Sequence, residues 1–256
     1  MENVSLISLY SGSKGNCTYL RCGEDEILID AGRSLRALTC ALQSVGGDLA
    51  RIKAIFITHE HSDHVSALEM LSKKYRIPIH MTEDSAKKVL ATTTYVKSNL
   101  ICHPPMYAET VGALTVRSFV TPHDSDMSVG FTISLPSGEK IGYATDIGHI
   151  TPAIRENLLG SAAVVIESNH DARMLRDGPY PAWLKMRIGS PHGHLSNADC
   201  CAFLPELAAS GTKDIMLAHL SAENNTPDTA LQCAKCACAD GFHLLVARES
   251  EPTRLL

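Results

Sequence analysis

The chain has 256 residues, 45% of them hydrophobic and 20% charged, which is the make-up of a globular protein able to bury a sizeable core. Its net charge of −5 excludes attraction of a polyanion through a global basic field, so a nucleic-acid partner has to be met by a local patch or by bound metal. Three features point to a cytoplasmic protein that does not engage a membrane. No apolar run reaches the roughly 18 residues of a membrane helix, the N-terminus lacks a signal peptide's basic-then-apolar order, and the nine cysteines are irregularly placed, as reduced thiols are.

The elements alternate along the chain. Strands are expected over 4–10, 18–22 and 26–30, then a helix over 34–45 ending at Gly46-Gly47. A buried strand at 52–58 leads into an amphipathic helix at 64–76, followed by a strand at 77–81 and a helix capped by Asp84 and running to 91. Residues 92–113 read as an irregular surface excursion. Strands near 114–120, 128–135 and 140–145 follow, then a helix near 151–159 and a strand at 162–168. The stretch 172–187 is helical but broken by Gly178-Pro179 and Pro181. Ser196 with Asp199 makes a capping box for a helix to about 209, and DIMLA, 214–218, is a strand. A helix opens at Thr226-Pro227 and stops at Gly241, and a last strand at 242–247 closes the chain. With no repeat and no linker, residues 1–256 are expected to form one α/β domain.

The strongest chemical signal is THEHSDH, 58–64, directly after a buried strand. His59 and His61 stand two apart in an extended segment and reach one cation, while Asp63 and His64 point to a neighbouring position as the chain turns into a helix. Further ligands are sought just past the carboxyl ends of apolar strands, where α/β sheets build their sites. His123, Asp146 and His219 satisfy that rule. The expected centre therefore holds two divalent metal ions: His59, His61 and His123 on one, Asp63, His64 and His219 on the other, and Asp146 between them. With His and Asp donors and no thiolate, zinc, manganese and iron all suit it.

HEHSDH with His123, Asp146 and His219 in that order resembles the metallo-β-lactamase fold superfamily. The resemblance implies a four-layer αββα sandwich with a dinuclear site at one edge of its sheets. Asp30, ending EILID, matches an aspartate that orders the metal-binding loop from behind. SGSKGN (11–16), ATDIGH (144–149), ESNHD (167–171), GHLSN (193–197) and AHLSAENN (218–225) are similar to the YycJ/WalJ branch. That branch implies a metal-dependent 5′→3′ exonuclease acting on DNA, related to ribonuclease Z. Asp146 stands where B1 and B2 β-lactamases carry cysteine, which disfavours lactam hydrolysis. No flavodoxin-like stretch, β-CASP insertion or ribonuclease Z arm is present.

Two divalent cations would lower the pKa of a shared water to give hydroxide near neutral pH, and would neutralise a phosphate oxygen. By order and context His194 in GHLSN matches the ribonuclease Z histidine that works with a glutamate, here Glu167. His194, Glu167 and Asp63 are accordingly the expected catalytic groups, with His194 binding phosphate or protonating the leaving group. Gly12 and Gly15 let the SGSKGN turn face an anion, so Ser13 and Asn16, with His170, are expected to contact substrate. His192 reads as a bystander, and the cysteines of CAKCAC, 233–238, as helix packing. The competing functions are a phosphodiesterase on cyclic or sugar phosphates, a glyoxalase II-like thioester or lactone hydrolase, and a metal-binding regulator without turnover.

Overall fold

In the computed structural model, which describes residues 4–93, 95–237 and 242–256, the alternating strands and helices form two seven-stranded sheets laid face to face. The first contains β1 (Val4–Tyr10), β2 (Cys17–Cys22), β3 (Asp25–Ile29), β4 (Ile52–Phe56), β5 (Ile79–Thr82) and β6 (Leu100–His103) in that order, with β14 (Thr253–Arg254) outside β1. The second runs through β7 (Ala108–Val111), β8 (Leu114–Val120), β9 (Val129–Ser134), β10 (Lys140–Ala144), β11 (Ala163–Glu167), β12 (Asp214–Ala218) and β13 (His243–Val246).

Strands β3 to β6 pair in parallel, as do β10 to β13, and a parallel step needs a crossover. Helices supply it. On the first sheet these are α1 (Leu35–Ser44), α2 (Ser62–Val65), α3 (Leu68–Lys74) and α4 (Glu83–Thr92). On the second they are α5 (Pro152–Leu158), α6 (Ala172–Asp177), α7 (Ala182–Ile188), α8 (Asn197–Ala209) and α9 (Pro227–Ala237). Because these strands run the same way within each sheet, their carboxyl ends share one edge of the sandwich. That edge is where the expected ligands lie.

Period-two alternation sorts the side chains into three cores. Ile7, Leu9 and Leu28 face Leu38, Leu42, Leu68 and Leu71 of the first helical layer. Leu6, Ile27 and Phe56 meet Phe131, Ile133 and Val165 between the sheets, where the Phe56 and Phe131 rings touch edge to face at 5.9 Å. Val164 and Ile166 point instead at Ile154, Leu204 and Leu207 of the outer helices. Four layers with three dry seams are the αββα sandwich that the resemblance implied.

Some local expectations need correction. The helix expected over 64–76 is two pieces, because the backbone at Ser66 and Ala67 is diverted: Ala67 N–H donates to Ala31 O at 2.9 Å and Ala31 N–H to His64 O at 2.8 Å. Residues 92–113 are no irregular excursion, since they carry β6 and β7, the outermost strands of both sheets. The helix expected to be capped by Asp84 begins at Glu83, and its N-cap Thr82 makes no side-chain capping bond. The chain does not finish with the strand at 242–247, because β14 returns to pair with β1. Gly241 and Cys238, invoked for the end of α9 and the cysteine cluster, lie outside the described residues.

Candidate metal centre

The seven expected metal-binding residues converge from both sheets. The turn after β4 carries His59 and His61 into α2, which holds Asp63 and His64; His123 follows β8, Asp146 follows β10, and His219 follows β12. His59, His61 and His123 offer donor atoms within 4.8 Å of one another, as do Asp63, His64 and His219, and as do His59, His64 and Asp146. Asp30, Asp146 and His219 have φ of 62°, 55° and 56°, and they are the non-glycine residues with positive φ among the described residues. Such backbone is held only where the surroundings over-determine it, and here it marks one edge.

Five of the imidazoles are steered from behind. Thr58 Oγ1 lies 3.0 Å from His59 Nδ1, Gly193 O accepts from His123 Nδ1 at 3.0 Å, and Asp30 Oδ2 lies 2.9 Å from His64 Nδ1. Glu167, the last residue of β11 and fully buried, does this twice: its Oε1 lies 2.8 Å from Nδ1 of both His194 and His219. Its other oxygen accepts the backbone N–H groups of Ile147 and Leu195 at 2.8 and 3.1 Å. Tying Nδ1 aims Nε2 forward. The Nε2 atoms of His59, His123 and His219 and Oδ2 of Asp146 are buried without a hydrogen-bond partner. Each such atom costs about 1–3 kcal/mol, and four in one place call for a shared cation.

The electrostatics agree. Burial, reinforced by the neighbouring histidines, holds the His59 pKa far below its ordinary value, so this ring is a neutral donor. Burial also disfavours charge on His64, yet Asp30, Asp146 and Asp63 outweigh it and push its pKa well up. His219 behaves likewise: Asp146, Asp63 and Glu167 overcome burial and raise its pKa to about 10. A centre that holds protons on two buried histidines carries an excess of carboxylate, which a divalent cation can neutralise instead.

The chain matches the β-lactamase superfamily domain over residues 25–219. It belongs to the metallo-β-lactamase fold superfamily. Exodeoxyribonuclease YycJ of Bacillus anthracis is 33% identical over 227 residues, covering 87% of this chain and 84% of that protein. Exodeoxyribonuclease WalJ of Streptococcus pneumoniae is 31% identical over 226 residues, covering 87% and 83%. The metallo-β-lactamase fold protein YhfI of Bacillus subtilis shares the fold with a TM-score of 0.75 and 16% identity, over 99% of this chain and all of that one. Superfamily membership and the His/Asp cluster make the chain a metal-dependent hydrolase that binds divalent metal.

The rim differs from expectation in places. His194 and Ser13 line a pocket of about 240 Å³ together with His61, Asp63, His123, Asp146 and His219. Asn16 does not reach that rim: it is buried, its Oδ1 accepts Gly12 N–H at 2.8 Å, and its Nδ2 donates to Gly12 O and Asp63 Oδ2, both at 3.1 Å. Its amide is spent on the loop and on Asp63, not on a substrate. His170 is buried and opens on a different hollow, beside α6, α7 and α8. His192 lies outside the pocket, with Thr151 and Pro152. Sequence reasoning missed Asp124, Tyr180 and Arg187, which line the pocket. Arg187 pairs with Asp124, and Asp124 Oδ1 stands 3.4 Å from His123 Nε2. The Asp124 carboxylate directly after a candidate ligand was the available signal; nothing local announces Tyr180 or Arg187.

Proposed function

We propose that this chain is a dinuclear phosphodiesterase that shortens DNA from the 5′ end. His59, His61 and His123 would hold one divalent ion and Asp63, His64 and His219 the second, with Asp146 shared, and zinc, manganese or iron suits these donors. When bound, the metal supplies Lewis acidity toward a phosphate oxygen and an attacking water. The exodeoxyribonuclease names of the two relatives support DNA as the substrate.

One observation carries the phosphodiester reading: His194 is fixed through Nδ1 by Glu167, while its side chain stays 22% exposed on the pocket. Burial disfavours the charged ring, but Glu167 and Asp146 outweigh it and raise its pKa. The imidazolium then presents Nε2–H to a phosphate oxygen and passes that proton to the departing alkoxide. Asp63, its side chain 21% exposed beside the same pocket, accepts the proton of the attacking water. Asp30 and Glu167 hold the ligating rings and touch no substrate.

End-labelled single-stranded and duplex DNA incubated with the metal-loaded protein should shorten progressively from the 5′ end. Hydrolysis of bis-p-nitrophenyl phosphate with DNA left intact would favour a small-molecule phosphodiesterase. His194→Ala should keep its metal by elemental analysis and lose about 10²–10⁴-fold in turnover. Loss of metal from that variant would refute the acid assignment.

A further inference from the structure

The pocket, at about 240 Å³, is smaller than the roughly 300–1,000 Å³ of sites that engulf a whole ligand. It admits a phosphate and its nearest atoms, and the rest of a polymeric substrate has to lie on the surface around it. The wall formed by α7 has the chemistry for that. No residue of this helix is buried. One side of it, with Tyr180 ahead and then Leu184, Arg187 and Ile188, lines the pocket. Trp183, the single tryptophan of the chain, lies next to that side by helical spacing and is 62% exposed, and Met186 beyond it is 71% exposed. Leaving the largest apolar side chain in water, on a helix whose Leu184 and Ile188 are only half-buried, is a cost the fold itself does not recover.

Charge indicates what covers it. Over 171–189 the chain carries Arg173, Arg176, Lys185 and Arg187 against Asp171 and Asp177, a local excess of positive charge within a protein of net charge −5, with Arg176 paired to Asp177 and Arg187 to Asp124. The helix is also tied to the site, since His194 N–H donates to Ile188 O at 2.9 Å, and Gly193 packs so closely that a Cβ there would meet Ile188 O at 2.1 Å. Whatever lies on α7 is therefore held in fixed register with His194.

We propose that α7 is a stacking platform for single-stranded nucleic acid, on which Trp183 takes a base of the strand whose phosphate enters the His194 pocket. This rests on the phosphodiesterase reading above. An aromatic face accepts any base, so the platform gives grip without sequence preference, and the basic side chains follow the backbone.

The single tryptophan makes the test direct. In the slow His194→Ala background, a single-stranded oligothymidylate should quench Trp183 fluorescence saturably, and more weakly as salt rises. In the otherwise unaltered enzyme, Trp183→Ala should raise KM for single-stranded DNA by about 5- to 150-fold, the equivalent of one stacked base, with kcat changed far less. Trp183→Phe should recover most of that loss. Tyr95→Ala removes an aromatic that is 58% exposed away from the pocket and should leave KM as it was. An unchanged KM in Trp183→Ala, while the parent still shortens DNA, overturns the platform and leaves the phosphodiesterase reading intact. A fluorescence change that tracks protein concentration without DNA overturns it too, in favour of a second copy on this face. A parent that cleaves bis-p-nitrophenyl phosphate but no DNA sinks the nucleic-acid reading beneath it.

Discussion

At the scale of single residues, the centre depends on groups that never reach the pocket floor. Glu167 fixes both His194 and His219 through one oxygen, so Glu167→Gln removes the charge both rings rely on and leaves only one donor-acceptor match. Turnover and metal affinity should each fall about 10- to 100-fold, read from metal titration and DNA hydrolysis, and unaltered metal affinity would contradict the double role. The candidate cluster was legible because His59, His123, Asp146 and His219 each stand just past an apolar strand, and Asp63 and His64 follow within the same HxHxDH run, placements that sequence can show. The rim was not. Arg187 and Tyr180 reach the pocket through the packing of α7, which no local pattern encodes. Asn16 misled for a different reason: a Gly-x-x-Gly-Asn turn looks the same whether its amides face an anion or, as here, one another.

At the scale of elements, close backbone contacts hold the metal loop in place. A Cβ on Gly32 would lie 1.5 Å from Asp63 O and 2.6 Å from Asn16 N. Gly32→Ala should push α2 away from the 11–16 turn, costing about 1–3 kcal/mol or more in denaturant unfolding and lowering metal content alongside. That contact also explains why one periodic helix was expected where α2 and α3 form: hydrophobic spacing continues across Ser66 and Ala67, while Ala31 takes the backbone bonds of Ala67 N–H and His64 O. The edge strands β6 and β7 escaped notice because each is short and mostly in contact with water. Their neighbourhood carries a pH response. On β5 and β6, His80 Nδ1 and His103 Nε2 lie 3.0 Å apart, and burial, with His103 beside it, lowers the His80 pKa to about 4. In the unfolded chain this ring takes up its proton from about pH 6.5 downward. Its contribution to stability is therefore complete above that pH and lost as pH falls toward 4. His80→Gln should lose less of its thermal midpoint than the parent between neutral pH and about pH 4.5; equal losses would count against the assignment.

At the scale of the whole molecule, the centre fastens one sheet to the other. His59, His61, Asp63 and His64 come from the first sheet, and His123, Asp146 and His219 from the second. Metal bound across that seam stabilises the folded state alone. At free metal a hundredfold above Kd the linkage is worth about 2.7 kcal/mol, and chelation should lower the thermal midpoint by roughly 5–10 °C for a chain of this size. A midpoint indifferent to chelator would mean that the seam holds without it. The left-handed backbone at Asp30, Asp146 and His219 also bears on any effort to re-equip this edge for another ion. Seven candidate ligand positions suggest wide latitude, but at two of them, and at the aspartate behind, the main chain has already narrowed the choice. Asparagine and glycine settle into that conformation readily. Valine, isoleucine or threonine would cost about 1–3 kcal/mol before meeting any metal, so variation in this rim is confined to a small vocabulary that the backbone, more than the ion, has selected.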